Sequence, residues 1–306
     1  MTHAHTTVLL SEAVTHLVHK PSGVYLDGTF GRGGHSAALL DSLAPSGKLI
    51  ALDRDPSAVA VGSAWPDPRF CMVHSNFSLF DAVLAHHGVP ALDGLLLDLG
   101  VSSPQLDEAQ RGFSFSKDAP LDMRMDTSSG QTAAQFVATA SEAELTRVIH
   151  EYGEERHATR IAAHIVAQRA IAPIATTRQL ASLVEGAVKA RKFGFHPATL
   201  TFQAIRIHIN QELAELEAAL IKAQQCMQSG ARLAIISFHS LEDRMVKQAF
   251  RPAPVSAAHR HLPRSEAVHP WKEIARIKPT EAQCKANPRA RSAVLRVAVR
   301  QAEGRT

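Results

Sequence analysis

Three apolar runs in the first hundred residues each end in an aspartate: Val24–Asp27, Leu49–Asp53 and Leu95–Asp98. Runs that are apolar at nearly every position fit strands buried on both faces, as in a parallel sheet. Helix-sized segments separate them. Ser36–Leu43 follows the first run, and Asp55-Pro56 opens a second helix that reaches about Ser63. Arg69–His74 reads as a further strand and Ser78–His87 as a helix, so the predicted order is βαβαβαβ.

Beyond Pro104 the pattern changes. Residues 107–130 are polar, with little periodicity. Ser141-Glu142-Ala143-Glu144 is a capping box that opens a helix through Tyr152. Glu155–Arg169 and Thr177–Ala190 also read as helices, and no buried strand is expected among them. A single long amphipathic helix is predicted over Phe202–Met227, with Leu213, Leu216 and Leu220 on one face and Gly230 ending it. Leu233–Phe238 is a strong strand, Leu241–Phe250 a helix, and Ser292–Val299 a last strand. Arg251–Pro279, rich in proline and histidine, reads as a loop. The expected organisation is an α/β domain in two parts, 1–106 and 200–306, around a helical insertion at 107–199.

Of 306 residues 45% are apolar, enough for one large domain or two modest ones. No apolar run is long enough for a membrane helix, and the first residues lack the basic and apolar regions of a secretory leader. Cys71, Cys226 and Cys284 are far apart, which predicts a reducing, cytoplasmic setting and no zinc pair. The net charge of +4 conceals an asymmetry: residues 251–306 carry twelve Lys/Arg and four Asp/Glu, and the rest of the chain is mildly acidic. A basic tail of this kind suits a polyanion, nucleic acid first of all.

The chemistry concentrates in Val24–Ser36, where Gly28, Gly31, Gly33 and Gly34 follow a strand and precede a helix. Strand, glycine loop and helix form a cradle for a nucleotide-like cofactor. The dinucleotide fingerprint is incomplete, because Ser36 stands where its third glycine belongs. Asp27, directly before the loop, would repel a pyrophosphate. It suits a ligand with ammonium and sulfonium groups, such as S-adenosylmethionine, and reads as a direct contact to it. Asp53, ending the second strand, can accept both ribose hydroxyls. Phe77, after the third strand, can flank an adenine ring or simply pack in the core. Asp98 ends the fourth strand, and Ser103-Pro104-Gln105 is a degenerate form of the motif with which enzymes hold an exocyclic amine for methylation. Such a reaction rests on in-line positioning, and a base inside a duplex must first be exposed.

The histidines at 3, 5, 86, 87, 259, 261 and 269 match no ligand spacing, and no metal is expected. Ser237 and His239 resemble a nucleophile–base pair, but residues at a strand end point apart. Arg289 and Arg291, beside the last strand, are candidate phosphate contacts. Rival readings are a nicotinamide-dependent oxidoreductase and a non-catalytic RNA-binding assembly factor.

Several motifs together resemble the bacterial small-subunit rRNA methyltransferase H family, also called MraW. They are His5–Leu10, Asp27–Ser36, Asp98–Asp107, Arg111–Phe115, Leu121–Asp126, Tyr152–Arg156, Ser237–Arg244 and Asn287–Ser292. The resemblance runs nearly end to end, with departures mainly in 251–285. It implies a class I (Rossmann-like) S-adenosylmethionine-dependent methyltransferase sheet with an inserted helical domain that helps shape the substrate site. The implied reaction is N4-methylation of a cytidine in the decoding region of 16S rRNA. The implied cofactor contacts are Gly33, Gly34, His35, Asp53, Phe77, Asp98 and Gln105, with Asp98 also catalytic and Asp27 in support. The implied partner is 16S rRNA in the small ribosomal subunit. No membrane is expected, and a homodimer is a further expectation.

Overall fold

A computed structural model describes residues 7–188, 196–251 and 269–302. His3, His5, His259 and His261 lie outside the described residues. The chain divides into two compact units, one formed by residues 1–100 and 213–306, the other by 101–212. These limits fall outside the 107–199 expected for the insertion, because residues 101–106 and the helix before Gln211 group with the second unit.

In the first unit the elements alternate as α1 (Leu10–Leu17), β1 (Val24–Asp27), α2 (Gly34–Ser42), β2 (Lys48–Asp53), α3 (Pro56–Ser63), β3 (Phe70–His74), α4 (Phe80–His86) and β4 (Leu92–Asp98). The second unit holds α5 (Ser103–Asp107), α6 (Ala133–Thr139), α7 (Glu142–Gly153), α8 (Ala158–Arg169), α9 (Thr177–Ala187) and α10 (Ala198–Asn210). The first unit then resumes with α11 (Glu212–Cys226), β5 (Met227–Ser237), α12 (Ser240–Ala249), β6 (Trp271–Ile277), α13 (Glu281–Ala286) and β7 (Val294–Arg300).

The seven strands are ordered β3-β2-β1-β4-β5-β7-β6. β1 to β5 pair parallel with one another, whereas β7 runs antiparallel to both β5 and β6. This is an open α/β sheet, parallel from β3 to β5, with an antiparallel pair, β7 and β6, at one edge. Alternate residues supply opposite faces. Leu26, Leu95, Leu97 and Ile235 pack with Phe80 of α4, Leu216 and Leu220 of α11 and Val246 of α12. Tyr25, Leu96, Ile236 and Leu295 pack with Leu17 of α1 and Leu39 of α2. Covering both faces is why the strands read as unbroken apolar runs, each buried leucine contributing about 2 kcal/mol.

The second unit has a core of its own, including Phe136, Leu145, Ile149, Ile161, Leu180, Val184 and Ile205. The aperiodic 107–130 stretch feeds it with Leu121 and Met123. Buried Asn210 fixes that stretch: its Oδ1 accepts the Met125 N–H and its Nδ2 donates to the Met123 carbonyl, each at 2.8 Å.

Three sequence expectations are corrected. The long helix over Phe202–Met227 is two helices, separated at Gln211, whose φ of 52° is left-handed. Phe202 and Ile205 belong to the helical core, and Leu216 and Leu220 to the sheet core, so the apolar stripe is really two stripes serving two cores. Gly230, φ 85°, does not end a helix but lies inside the exposed first half of β5. Part of the expected 251–279 loop is strand β6. It is an edge strand with a register shift between Glu273 and Ala275, and only Trp271 is fully buried, so no apolar run marks it.

β6 and β7 are tied to α12 by Arg296, which is 3% exposed. Its Nε and Nη2 donate to the two carboxylate oxygens of Asp243 at 2.7 and 3.1 Å, and its Nη1 donates to Glu273 at 2.5 Å. Arg296→Leu would remove the buried guanidinium that joins Asp243 to Glu273 and should destabilise the protein by about 3 kcal/mol. A denaturation midpoint equal to that of the wild type would contradict this role for the guanidinium.

Candidate active site

Parallel strands in an open sheet end along one edge, and there the loops leave a crevice for a ligand. Asp27, Asp53 and Asp98 are the last residues of β1, β2 and β4. Each does different work.

Asp27 is fully buried. One of its oxygens accepts the Thr29 N–H at 3.1 Å and the other the Ser36 hydroxyl at 2.7 Å. It therefore clamps the first turn of the loop to the start of α2, a supporting position rather than the direct contact read from its charge alone. Burial pushes its carboxyl up to about 6 against the pull of these hydrogen bonds. Asp53 holds the same loop from the next strand: its Oδ2 accepts the Gly31 N–H at 2.7 Å and its Oδ1 the Asp55 N–H at 2.8 Å. A carboxylate accepts about four hydrogen bonds, which leaves room for a further donor. Burial raises its pKa as well.

The glycines are required sterically. Gly33 has φ 80° and caps α2, and a Cβ there would strike the Trp65 indole. A Cβ on Gly34 would land on the Thr7 hydroxyl. Trp65 in turn packs edge-on to Phe30 of the loop, 5.2 Å between ring centroids. Thr7 and Trp65 carry no chemical signature in the sequence; only packing reveals them.

His35 follows in the first turn of α2 and is 4% exposed. Burial lowers its pKa to about 4, so the imidazole is neutral. Its Nδ1 lies 3.6 Å from Asp98 Oδ2. The remaining polar atoms of the pair, His35 Nε2 and Asp98 Oδ1, are both buried without a hydrogen-bond partner. Burial, with the negative charges of Asp27 and Glu242, raises the Asp98 carboxyl well above the usual range. A buried anion without a donor is costly, so the site is poised to receive a cation or a donor group. The Asp98 N–H donates to the Thr29 hydroxyl at 2.6 Å, which joins the β4 end to the glycine loop; sequence reasoning gave Thr29 no part.

Phe77 begins a short 3-10 turn after β3 and packs partly against the sheet core. Its Cβ lies 3.0 Å from where a Cβ on Gly28 would sit, so it adjoins the base of the loop. The structure thus brings Gly33, Gly34, His35, Asp53, Phe77 and Asp98 to one sheet edge. Gln105 belongs to the other unit. There it is buried at the third position of α5, and its side chain accepts the Ser102 N–H at 2.9 Å in a capping box. Arg289 and Arg291 are exposed on a 3-10 turn before β7. Because β7 is reversed, its first residue, Val294, pairs with Ser237 at the end of β5, which puts this turn at the same edge.

Ser237 and His239 do not form a nucleophile–base pair. The Ser237 hydroxyl donates to the Val294 carbonyl at 3.3 Å, and His239 caps α12. Glu242, 2% exposed, accepts the Phe238 N–H at 2.8 Å and fixes that turn, a role the sequence reading did not assign.

A family model described as the MraW methylase family matches residues 2–301. The chain is 54% identical over 306 residues to the "Ribosomal RNA small subunit methyltransferase H" of Nitrosospira multiformis, covering 97% of each. It is 56% identical over 306 residues to the protein of the same name from Azoarcus sp., covering 97% of this chain and 96% of that one.

The Asp27 carboxyl, at about 6 in the folded chain, titrates near 3.9 when unfolded. The folded state therefore holds the proton more tightly, and Asp27 withdraws stability as pH rises from about 4 to about 6, by at most about 3 kcal/mol. The stability of the wild type relative to Asp27→Asn should decline across that interval and then level off. A difference that stays constant from pH 4 to 7 would contradict the burial of this charge.

Proposed function

The chain belongs to the MraW methylase family, and from this membership and the donor edge of its sheet we propose that it methylates ribosomal RNA of the small subunit with S-adenosylmethionine as donor. In this proposal the acceptor is N4 of a cytidine in the decoding region of 16S rRNA. The observation that carries the donor assignment is the His35–Asp98 pair, with one buried, unpartnered polar atom on each residue, beside a glycine loop in which a Cβ at Gly33 or Gly34 would meet Trp65 or Thr7. An anionic sheet edge of this kind suits a ligand with ammonium and sulfonium charges and no phosphate. A pyrophosphate would meet Asp98 unfavourably.

The donor supplies a methyl group already activated on sulfur. The protein's contribution is binding and alignment. Asp53 accepts the ribose hydroxyls with its spare lone pairs, while the Gly31 and Asp55 N–H groups hold it still. Gly33 and Gly34 let the backbone approach closely. Phe77 would flank the adenine. Asp98 would hold the cationic end of the donor and, at the end of β4, would accept a hydrogen bond from the amine that is to be methylated. His35, neutral, offers a hydrogen bond without adding positive charge beside a sulfonium. The second unit takes part in substrate recognition. Arg289 and Arg291 contact phosphates of the RNA.

Incubating the protein with labelled S-adenosylmethionine and small subunits that lack the modification should label one cytidine on N4. Label on another nucleotide or another atom would overturn the acceptor assignment. Asp53→Ala should weaken donor binding tenfold or more, roughly the loss of one to two charge-assisted hydrogen bonds; an unaltered dissociation constant would remove the ribose role. Donor binding needs Asp98 ionised, so affinity should fall as pH drops through its raised pKa, and binding should release a proton. Asp98→Asn should bind more weakly and flatten this dependence. Equal pH profiles for variant and wild type would assign the titration elsewhere.

A further inference from the structure

Residues directly opposite each other on paired strands stand on one face of the sheet. Arg276 lies opposite Arg296, and Glu273 lies opposite Ala298. Arg296 and Ala298 share a face because they are two apart. The register shift between Glu273 and Ala275 therefore brings Glu273 and Arg276, three apart in sequence, to the same side. This is the side that carries α12, because buried Arg296 reaches Asp243 there. Asp243 gives both oxygens to Arg296, and Glu273 gives it a third acceptor. The other Glu273 oxygen lies 3.9 Å from the Nε of Arg251, just beyond α12. Lys247 is one turn after Asp243 on α12. Lys247, Arg251 and Arg276 are all exposed, and Lys247 and Arg276 lie near enough to Asp243 to act on its charge. Both acids thus serve the buried cation first, and three cations hold the solvent side of this face.

We propose that the α12 side of the β6–β7 pair, through Lys247 and Arg276, holds the phosphodiester backbone of the RNA that flanks the target nucleotide. The inference rests on the reading of ribosomal RNA as substrate. Its physical basis is charge and place. Like charges directly across a strand pair, here Arg276 and Arg296, disfavour the fold. A polyanion relieves that repulsion and releases its own counterions. The Arg276 guanidinium is a planar fork that matches phosphate oxygens, and Lys247 adds a point charge. β7 begins at Val294, opposite the last residue of β5. Arg296 and Arg276 therefore stand two residues, roughly 7 Å, inside the carboxyl edge. α12 starts at that edge with Ser240 and carries Lys247 away from it. An acceptor base must be exposed to reach the donor, and phosphates beside it can then lie across this face without base-specific contacts.

The test uses the full chain and labelled, protein-free 16S rRNA in filter binding from about 50 to 200 mM salt. The Lys247→Ala, Arg276→Ala double variant should bind about tenfold more weakly, and its log–log salt slope should fall by one to two. Lys247→Gln, Arg276→Gln keeps most of each side-chain stem and should show the same loss, which separates lost charge from lost packing. Lys247→Arg, Arg276→Lys keeps the charge and should retain most of the affinity. Affinity for S-adenosylmethionine should be unchanged throughout. Lys48→Ala, removing an exposed cation at the amino end of β2, is the control for net charge and should behave as wild type. Unchanged affinity and slope in the glutamine variant would overturn the proposal, as would an equal loss in Lys48→Ala. Lost affinity for intact small subunits with full affinity for bare rRNA would assign the face to a protein partner and also overturn it. Failure of the wild type to methylate small subunits would sink the methylation reading instead, and the binding comparison would still decide the role of this face.

Discussion

The donor edge depends on one constraint: a glycine-rich loop, with little side-chain packing of its own, has to be held open in a single shape. Two carboxylates from adjacent strands do this. Asp27 grips the Thr29 N–H and the Ser36 hydroxyl, and Asp53 grips the Gly31 N–H. Thr29 extends the network to a third strand by accepting the Asp98 N–H. The parallel order β2-β1-β4 makes this possible, because it aligns the carboxyl ends of these strands along one edge. The same arrangement gathers negative charge where only one of the carboxylates, Asp98, lacks donors of its own. Structural and ligand-facing acids are thus separated by hydrogen bonding: Asp27 is satisfied internally, Asp53 in part, and Asp98 is left with an unpartnered buried oxygen.

Much of this was legible in the sequence. Runs buried on both faces declare themselves through their apolar continuity, and N-cap residues such as Ser141 mark helix starts directly. Asp53 and Asp98 could be singled out because strand ends in such a sheet face the ligand. What stayed hidden did so for physical reasons. An edge strand buries little, so β6 has no apolar signature. A bulge then interrupts what alternation remains. One amphipathic stripe cannot reveal that its two halves serve different cores, so the break at Gln211 was invisible. The role of Asp27 turned on a hydroxyl nine residues away, and the need for glycine at 33 and 34 on Trp65 and Thr7, contacts that only the folded chain makes. The resemblance to a known family brought in His35 and Gln105, to which residue chemistry alone had given no role.

Nearest neighbours β4 and β5 are separated in sequence by the whole second unit. Pairing them as a disordered chain would mean closing a loop of about 110 residues, at a cost of roughly 4 kcal/mol in chain entropy before the first contact forms. The 101–212 segment is continuous and condenses about its own core. Its helices pack on one another, α7 against both α8 and α10. During synthesis it emerges before β5 exists, and once condensed it no longer spans the gap as a random coil. The helical unit then acts as a folding spacer: it shortens the search for the central strand pair, β4 and β5, which closes only after β5 has left the ribosome.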